Sequence, residues 1–87
     1  MERIGPHGIR HPNGILFHYT ARSHSPEHQA TRATQSAVGY EMGSTVYETI
    51  VETAAWRNGT WVGPLAGDPA LKEAAAAMTD TDWSGLT

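Results

Sequence analysis

Five histidines are the residues of this chain best equipped for chemistry: His7, His11, His18, His24 and His28. His7 and His11 stand four positions apart, as do His24 and His28, and two imidazoles one helical turn apart can hold zinc. The neighbouring residues argue against such a helix. Gly8 and Pro12 break one over residues 7–11, and on a strand positions four apart lie roughly 13 Å from each other. Ser25-Pro26 places His24 ahead of any helix that contains His28, and no Glu stands between them as in a zincin. The expectation is no metal site, with the histidines exposed or hydrogen-bonded.

Other reactive groups are scarce. The chain has no cysteine, which removes thiol nucleophiles, disulfides and thiolate metal sites. No Gly-x-Ser-x-Gly, Walker or dinucleotide-binding glycine pattern is present. We expect no catalytic residue and no cofactor. Leu16-Phe17-His18-Tyr19-Thr20 resembles the opening strand of some ADP-ribosyltransferase-like toxins, in which a His-Tyr-Thr strand helps to hold NAD. That resemblance implies a later catalytic acid, for which Glu48 or Glu52 could be put forward. The other reading is a strand with alternating faces. Asn58-Gly59-Thr60 has the form of a glycosylation sequon, here read as incidental to a tight turn.

Charge is uneven. Residues 1–40 sum to +2 and residues 41–87 to −5. Such a chain can pair its own halves or stack head to tail. Nucleic-acid binding would need a basic stripe with stacking aromatics. The only candidates are four dispersed arginines with Phe17 and Tyr19, so we do not expect it. The acidic half could mimic nucleic acid toward a basic protein, but its acids are sparse.

The tryptophans remain, and Trp is enriched at interface hot spots. Trp56, Trp61, Trp83 and Leu86, with Arg10 and Arg22, are the expected partner-binding residues. The three tryptophans could equally be missing core. Trp56-Arg57-Asn58-Gly59-Thr60-Trp61 encodes a hairpin, because Asn-Gly takes the two positive φ angles of a type I′ turn cheaply. Arg57 then faces Thr60 and Trp56 faces Trp61. The stretch resembles the turn of designed tryptophan-zipper hairpins, a likeness without functional content.

The elements that would carry these residues follow from pattern. Gly5-Pro6-His7-Gly8 reads as an extended arm. His11-Pro12-Asn13-Gly14-Ile15 has the form of a three-residue hairpin loop. A strand over 15–22 puts Ile15, Phe17, Tyr19 and Ala21 on one face. Ser25-Pro26-Glu27 signals a helix start, and Ala30, Ala33, Ala37 and Tyr40 continue at helical spacing, giving a helix at about 26–42. Residues 45–57 are rich in β-branched residues and read as a long strand; their apolar spacing also fits a helix. Asp68-Pro69 starts a helix at about 69–79 that buries Leu71, Ala74, Ala75 and Met78.

The fold class is therefore α+β: a small antiparallel sheet from two hairpins, with one or two helices. Residues 1–8 would be an arm, 9–79 the domain and 80–87 a tail. The large aliphatics and Phe number thirteen of 87 residues, below the roughly 20% that makes a stable core easy. A core-poor domain gains stability from partners. Arginine outnumbers lysine five to one and alanine is abundant, as in a GC-rich bacterial or phage genome. No apolar run reaches the roughly 18 residues of a membrane span, and the first residues lack a signal peptide's apolar stretch. These features point to a non-enzymatic interaction or structural protein, cytoplasmic or in a virion, such as an accessory subunit of a phage particle that binds protein or itself. The alternatives are a small phage-type inhibitor of a host protein, and a ligand-binding or enzymatic domain using the His-rich half.

Overall fold

Each strand pairs with its neighbour in sequence, so short reversals decide the architecture. The computed structural model describes residues 1–87. Its strands are β1 (Glu2–Ile4), β2 (Gly8–Arg10), β3 (Leu16–Tyr19), β4 (His28–Glu41), β5 (Ser44–Arg57) and β6 (Thr60–Val62). They form one antiparallel sheet in the order β1-β2-β3-β4-β5-β6, curled into a half-barrel. The helices α1 (Pro69–Ala77) and α2 (Asp80–Leu86) close the chain.

Two reversals are those the sequence encodes. Asn58 and Gly59 have φ of 53° and 75°, and the register pairs Arg57 with Thr60 and Trp56 with Trp61. In the first loop His11 N–H donates to Ile15 O at 2.8 Å and Gly14 N–H to His11 O at 3.0 Å, with Gly14 at φ 95°.

The helix expected at about 26–42 is instead β4. A helix over these residues would bury only three alanines and Tyr40 and expose Thr31, Thr34 and Val38, which favour strands. Pairing with β5 gives the backbone a partner from Gln29↔Ala55 to Glu41↔Ser44. Ser25-Pro26 lies in the loop joining β3 to β4, fastened by Thr20 N–H to Glu27 O and Glu27 N–H to Thr20 Oγ1, both at 3.0 Å. The reversal between β4 and β5 is Met42-Gly43, at φ 50° and 81°. Residues 45–57 are strand, not helix.

The expected arm and tail also belong to the folded body. Glu2–Ile4 pair with Gly8–Arg10 as an edge strand. Residues 80–86 are helical, started by a capping box between Thr79 and Asp82. Arg3 Nη2 donates to Gly85 O, and His7 Nδ1 bonds Leu86 O, each at 2.7 Å. Strand β1 and the turn after it thus supply donors for the last carbonyls of α2.

The core is one cluster between one sheet face and the helices. Ile15, Phe17, Ala30, Leu65, Leu71, Ala74 and Leu86 are sealed from solvent. Helix α1 starts at its expected cap, Asp68, which accepts from Ala70 N–H at 2.8 Å. Of its expected stripe, Leu71, Ala74 and Met78 are buried and Ala75 packs beside them. The alanines let α1 lie close to the sheet. The radius of gyration is 14.9 Å and the longest extent 48 Å, against about 12 Å for the radius of a compact chain of this size. The excess comes from β4 and β5.

Candidate interaction surface

Register partners in a sheet share a face. Phe17↔Ala30 and Ala30↔Ala54 are partners in the core. The face they share carries Arg32 and Glu52 farther along, then Glu48, Val46 and Glu41 toward the Met42 turn. The opposite face carries Ala33, Gln35, Ala37, Tyr40, Thr45, Tyr47, Thr49 and Val51, with no charge among them.

The helices cover the core face only near the base. There Arg32 Nη2 meets Glu52 Oε1 at 2.9 Å and Asp68 Oδ2 at 2.6 Å. Asp68 thus caps α1 and pins it to the sheet in one stroke. Hydrogen bonds from Arg32 first, then Ala70 N–H, hold the Asp68 carboxyl below the usual carboxylate range. The same Asp68 and Glu52 raise the pKa of the Arg32 guanidinium. A second pair, Glu27 with Arg57 at 2.8 Å and 2.9 Å, fastens the other end of the hairpin. It pushes Glu27 down to about 2, helped by Gln29. Arg32 thus joins the basic half to the acidic half within one molecule, and Glu27–Arg57 crosses between the halves with the signs reversed.

Beyond Arg32 and Glu52 nothing covers either face. Nineteen consecutive residues, Ala33 to Val51, are exposed. They form a two-stranded finger roughly 33 Å long at about 3.3 Å per residue. Val38 is 58% exposed, Tyr40 74%, Tyr47 58% and Met42 100%. A register shift between Ala37 and Gly39 marks a bulge at Val38. Single exposed apolar residues are ordinary, but seven large ones exposed along one finger point to an interaction surface.

At the base sits an aromatic cluster. Trp56 and Trp61 meet edge to face with centroids 5.2 Å apart; Trp61 lies 6.1 Å from Trp83, and Trp83 lies 5.1 Å from Phe17 and 5.4 Å from His28. With Ala75 and His28 the three tryptophans line an open cleft of about 370 Å³.

The structure brings together Trp56, Trp61 and Trp83 of the expected partner-binding set and leaves the rest apart. Trp56 is 43% exposed, while Trp61 and Trp83 are half-buried against the core. Leu86 is fully buried and offers nothing to a partner, because α2 folds back onto β2 instead of trailing away. Arg10 is exposed and pairs with Glu2 at 2.9 Å. Arg22 is exposed in the loop between β3 and β4. Sequence reasoning missed the finger, whose signal was two equal β-prone stretches on either side of Met42-Gly43.

The histidines are spread over the fold. His7 and His28 bond the carbonyls of Leu86 and Trp83, so each needs its proton on the bonded nitrogen, Nδ1 in His7 and Nε2 in His28. His11 Nδ1 accepts from Asn13 N–H and is unprotonated there. Burial lowers the pKa of His18. No three His, Asp or Glu side chains are grouped to hold a metal ion. His18 pairs with Gln29 on the face opposite Glu48 and Glu52. Of the toxin-like strand, His18 therefore shares no face with either proposed acid, while Tyr19 does. No protein-family model, curated protein or solved structure matches this chain.

Proposed function

We propose that this chain is a non-enzymatic accessory subunit of a larger assembly, joined to its neighbours through the β4–β5 finger. The observation that carries this reading is the unbroken exposure of Ala33 to Val51 in a ribbon only two strands wide. An isolated hairpin is marginal in water, and its open edges are templates for another strand. Binding that covers the finger supplies the stability a thin core lacks. The excess of arginine over lysine and the many alanines suit a GC-rich bacterial or phage genome, and a phage particle is the setting we propose. No helix is long and apolar enough to cross a membrane.

A trimmed chain tests this. Replacing residues 35–49 by Asn-Gly joins Thr34 to Ile50, which are register partners, through a favoured turn. The trimmed chain melts cooperatively, and only the full chain sediments in a heavier species, alone or with components of its native source. Equal association of both chains, or a full chain that stays monomeric in both settings, overturns the reading.

The aromatic cleft favours a second reading, an inhibitor that blocks one protein. Three tryptophans around about 370 Å³ suit an apolar side chain of a partner. Trp56→Ala would then abolish binding while the trimmed chain binds normally.

A further inference from the structure

We infer that the aromatic cleft at the base is a docking site for a proline-rich segment of another protein, bound in the polyproline II conformation. The inference needs neither the finger nor the inhibitor reading to hold.

Alternation along the strands builds the cleft. His28 and Trp56 each stand two residues from a core position, Ala30 and Ala54, and so keep to the core face. Trp61 joins them as the register partner of Trp56. Helix α2 brings Trp83 and helix α1 brings Ala75. No ring lies flat on another: Trp56 and Trp61 meet at 67°, Trp61 and Trp83 at 44°, and Trp83 and His28 at 84°. Rings that do not stack leave face area to an occupant, and Trp56 is 43% exposed. The volume of about 370 Å³ is at the small end of ligand sites, roughly 300–1,000 Å³, so a few residues fill it.

Hydrogen-bonding capacity selects the occupant. An indole N–H can only donate, and a buried one ordinarily finds an acceptor. Here none of the three donates to any group of the chain. Those of the half-buried Trp61 and Trp83 still reach solvent, and the cleft is the open space both residues border. Of the five lining side chains only His28 can accept, through Nδ1, since its Nε2 proton goes to Trp83 O at 3.4 Å. No carboxylate, amide, lysine or arginine lines the cleft. The site therefore offers ring faces and donors, and almost no acceptor.

Other ligand classes fit this balance poorly. A wholly apolar side chain would bury indole N–H groups without partners, which is costly. A sugar ring can stack on indole, but its hydroxyls donate as well as accept and would find one acceptor. An alkylated ammonium suits ring faces, yet it uses no donor and meets no carboxylate. A nucleobase brings phosphates, and no cation is there to meet them. A polyproline II segment matches on each count. Its proline rings are apolar, and its carbonyls are free because this helix has no internal hydrogen bonds. Proline has no N–H that needs an acceptor, and its fixed φ lowers the cost of ordering the segment. Docking of such segments in aromatic-lined grooves is a general mode of peptide recognition. The segment belongs to another protein, because this chain has five prolines and the closest two, Pro64 and Pro69, stand five positions apart.

Intrinsic fluorescence reads the site directly, since the chain has three tryptophans and all of them line the cleft. The probe is decaproline; a Gly-Ser peptide of equal length, cellobiose and choline are the controls. Decaproline shifts the emission of the full chain saturably, and the controls do not. Trp56→Ala, at an exposed position, weakens binding by roughly tenfold or more. Trp61→Phe keeps a ring and removes one donor, and weakens binding roughly two- to tenfold. The wild-type chain supplies the same test without a substitution: on titration its indole N–H signals move downfield in a proton–nitrogen correlation spectrum. No emission shift at about 1 mM decaproline, an equal shift with the Gly-Ser peptide, a shift that Trp56→Ala leaves unchanged, or indole N–H signals that stay in place overturns the inference. A saturable shift with cellobiose or choline in place of decaproline also overturns it and assigns the cleft to that ligand class.

Discussion

β4 and β5 are the same two strands at both ends of the molecule, yet their ends live in different solvents. At the base, Ala30 and Ala54 are 0% and 2% exposed under α1 and α2. Six rungs on, Ser36 and Glu48 are paired in the same register and stand exposed to water. The backbone pairing is continuous, so hydrogen bonding does not distinguish the two regions. Burial does, and Arg32 with Glu52 and Asp68 marks the border. The base is held by its own chain. The finger is regular structure that its own chain does not cover.

The contrast can be broken from the base first. Leu86→Ala empties a fully buried site between α2 and β2 and costs about 2–5 kcal/mol, a fall in Tm of at least roughly 8 °C for a chain this size. Thermal melts followed by circular dichroism check it; a change within error would return residues 80–87 to the status of a tail. Next is Gly59→Val, which forces a β-branched residue to φ 75° and costs about 1–3 kcal/mol. It also weakens the exciton signal of the Trp56–Trp61 pair.

Acid acts more gently, through Glu27. With Arg57 holding its pKa at about 2 against an ordinary 4.5, the pair stabilises the fold fully above about pH 5. The contribution fades as the pH falls through 4.5 and is gone below 2. Arg57→Gln removes it, so the Tm difference between wild type and variant narrows from pH 6 to pH 2. Because Arg57 is largely exposed, high salt shrinks the difference as well. The smallest effect on folding belongs to the finger. Tyr47→Ala changes unfolding by no more than about 0.5 kcal/mol while weakening association.

What could be read from residues alone tracks how local the instruction is. Asn58-Gly59, Pro12-Asn13-Gly14 and Asp68-Pro69 each specify a turn or cap within a few positions, and all three stand where expected. Ile15 and Phe17 face inward as alternation requires. β4 departs from the expected helix because Ser25-Pro26-Glu27, three alanines and Tyr40 imitate one, while its real partner lies beyond the next turn. That turn was hard to see, since Met42 at φ 50° carries none of the preference that Asn has for this conformation. α2 did carry a signal, Thr79 three positions before Asp82. Of the expected interface, Trp56, Trp61 and Trp83 do gather at one place, but Leu86 went to the core. The finger's exposure was not legible, because no residue in it states what will lie beside it.

Hydrogen exchange resolved to single residues tests the central claim most directly, since inward and outward amides alternate along one strand. Leu65 N–H donates to Thr53 O at 3.0 Å, so Thr53 turns its backbone groups away from β4; alternation turns those of Thr49 outward too, and those of its partner Gln35. In the dilute chain the outward amides of Gln35 and Thr49 should exchange freely, and the inward amides of Ser36 and Ile50 more slowly. When the chain enters a heavier species the outward pair should slow by orders of magnitude, with little change at Phe17 or Leu71. Outward finger amides that stay fast in every heavier species, while the aromatic cleft becomes protected instead, would contradict the account.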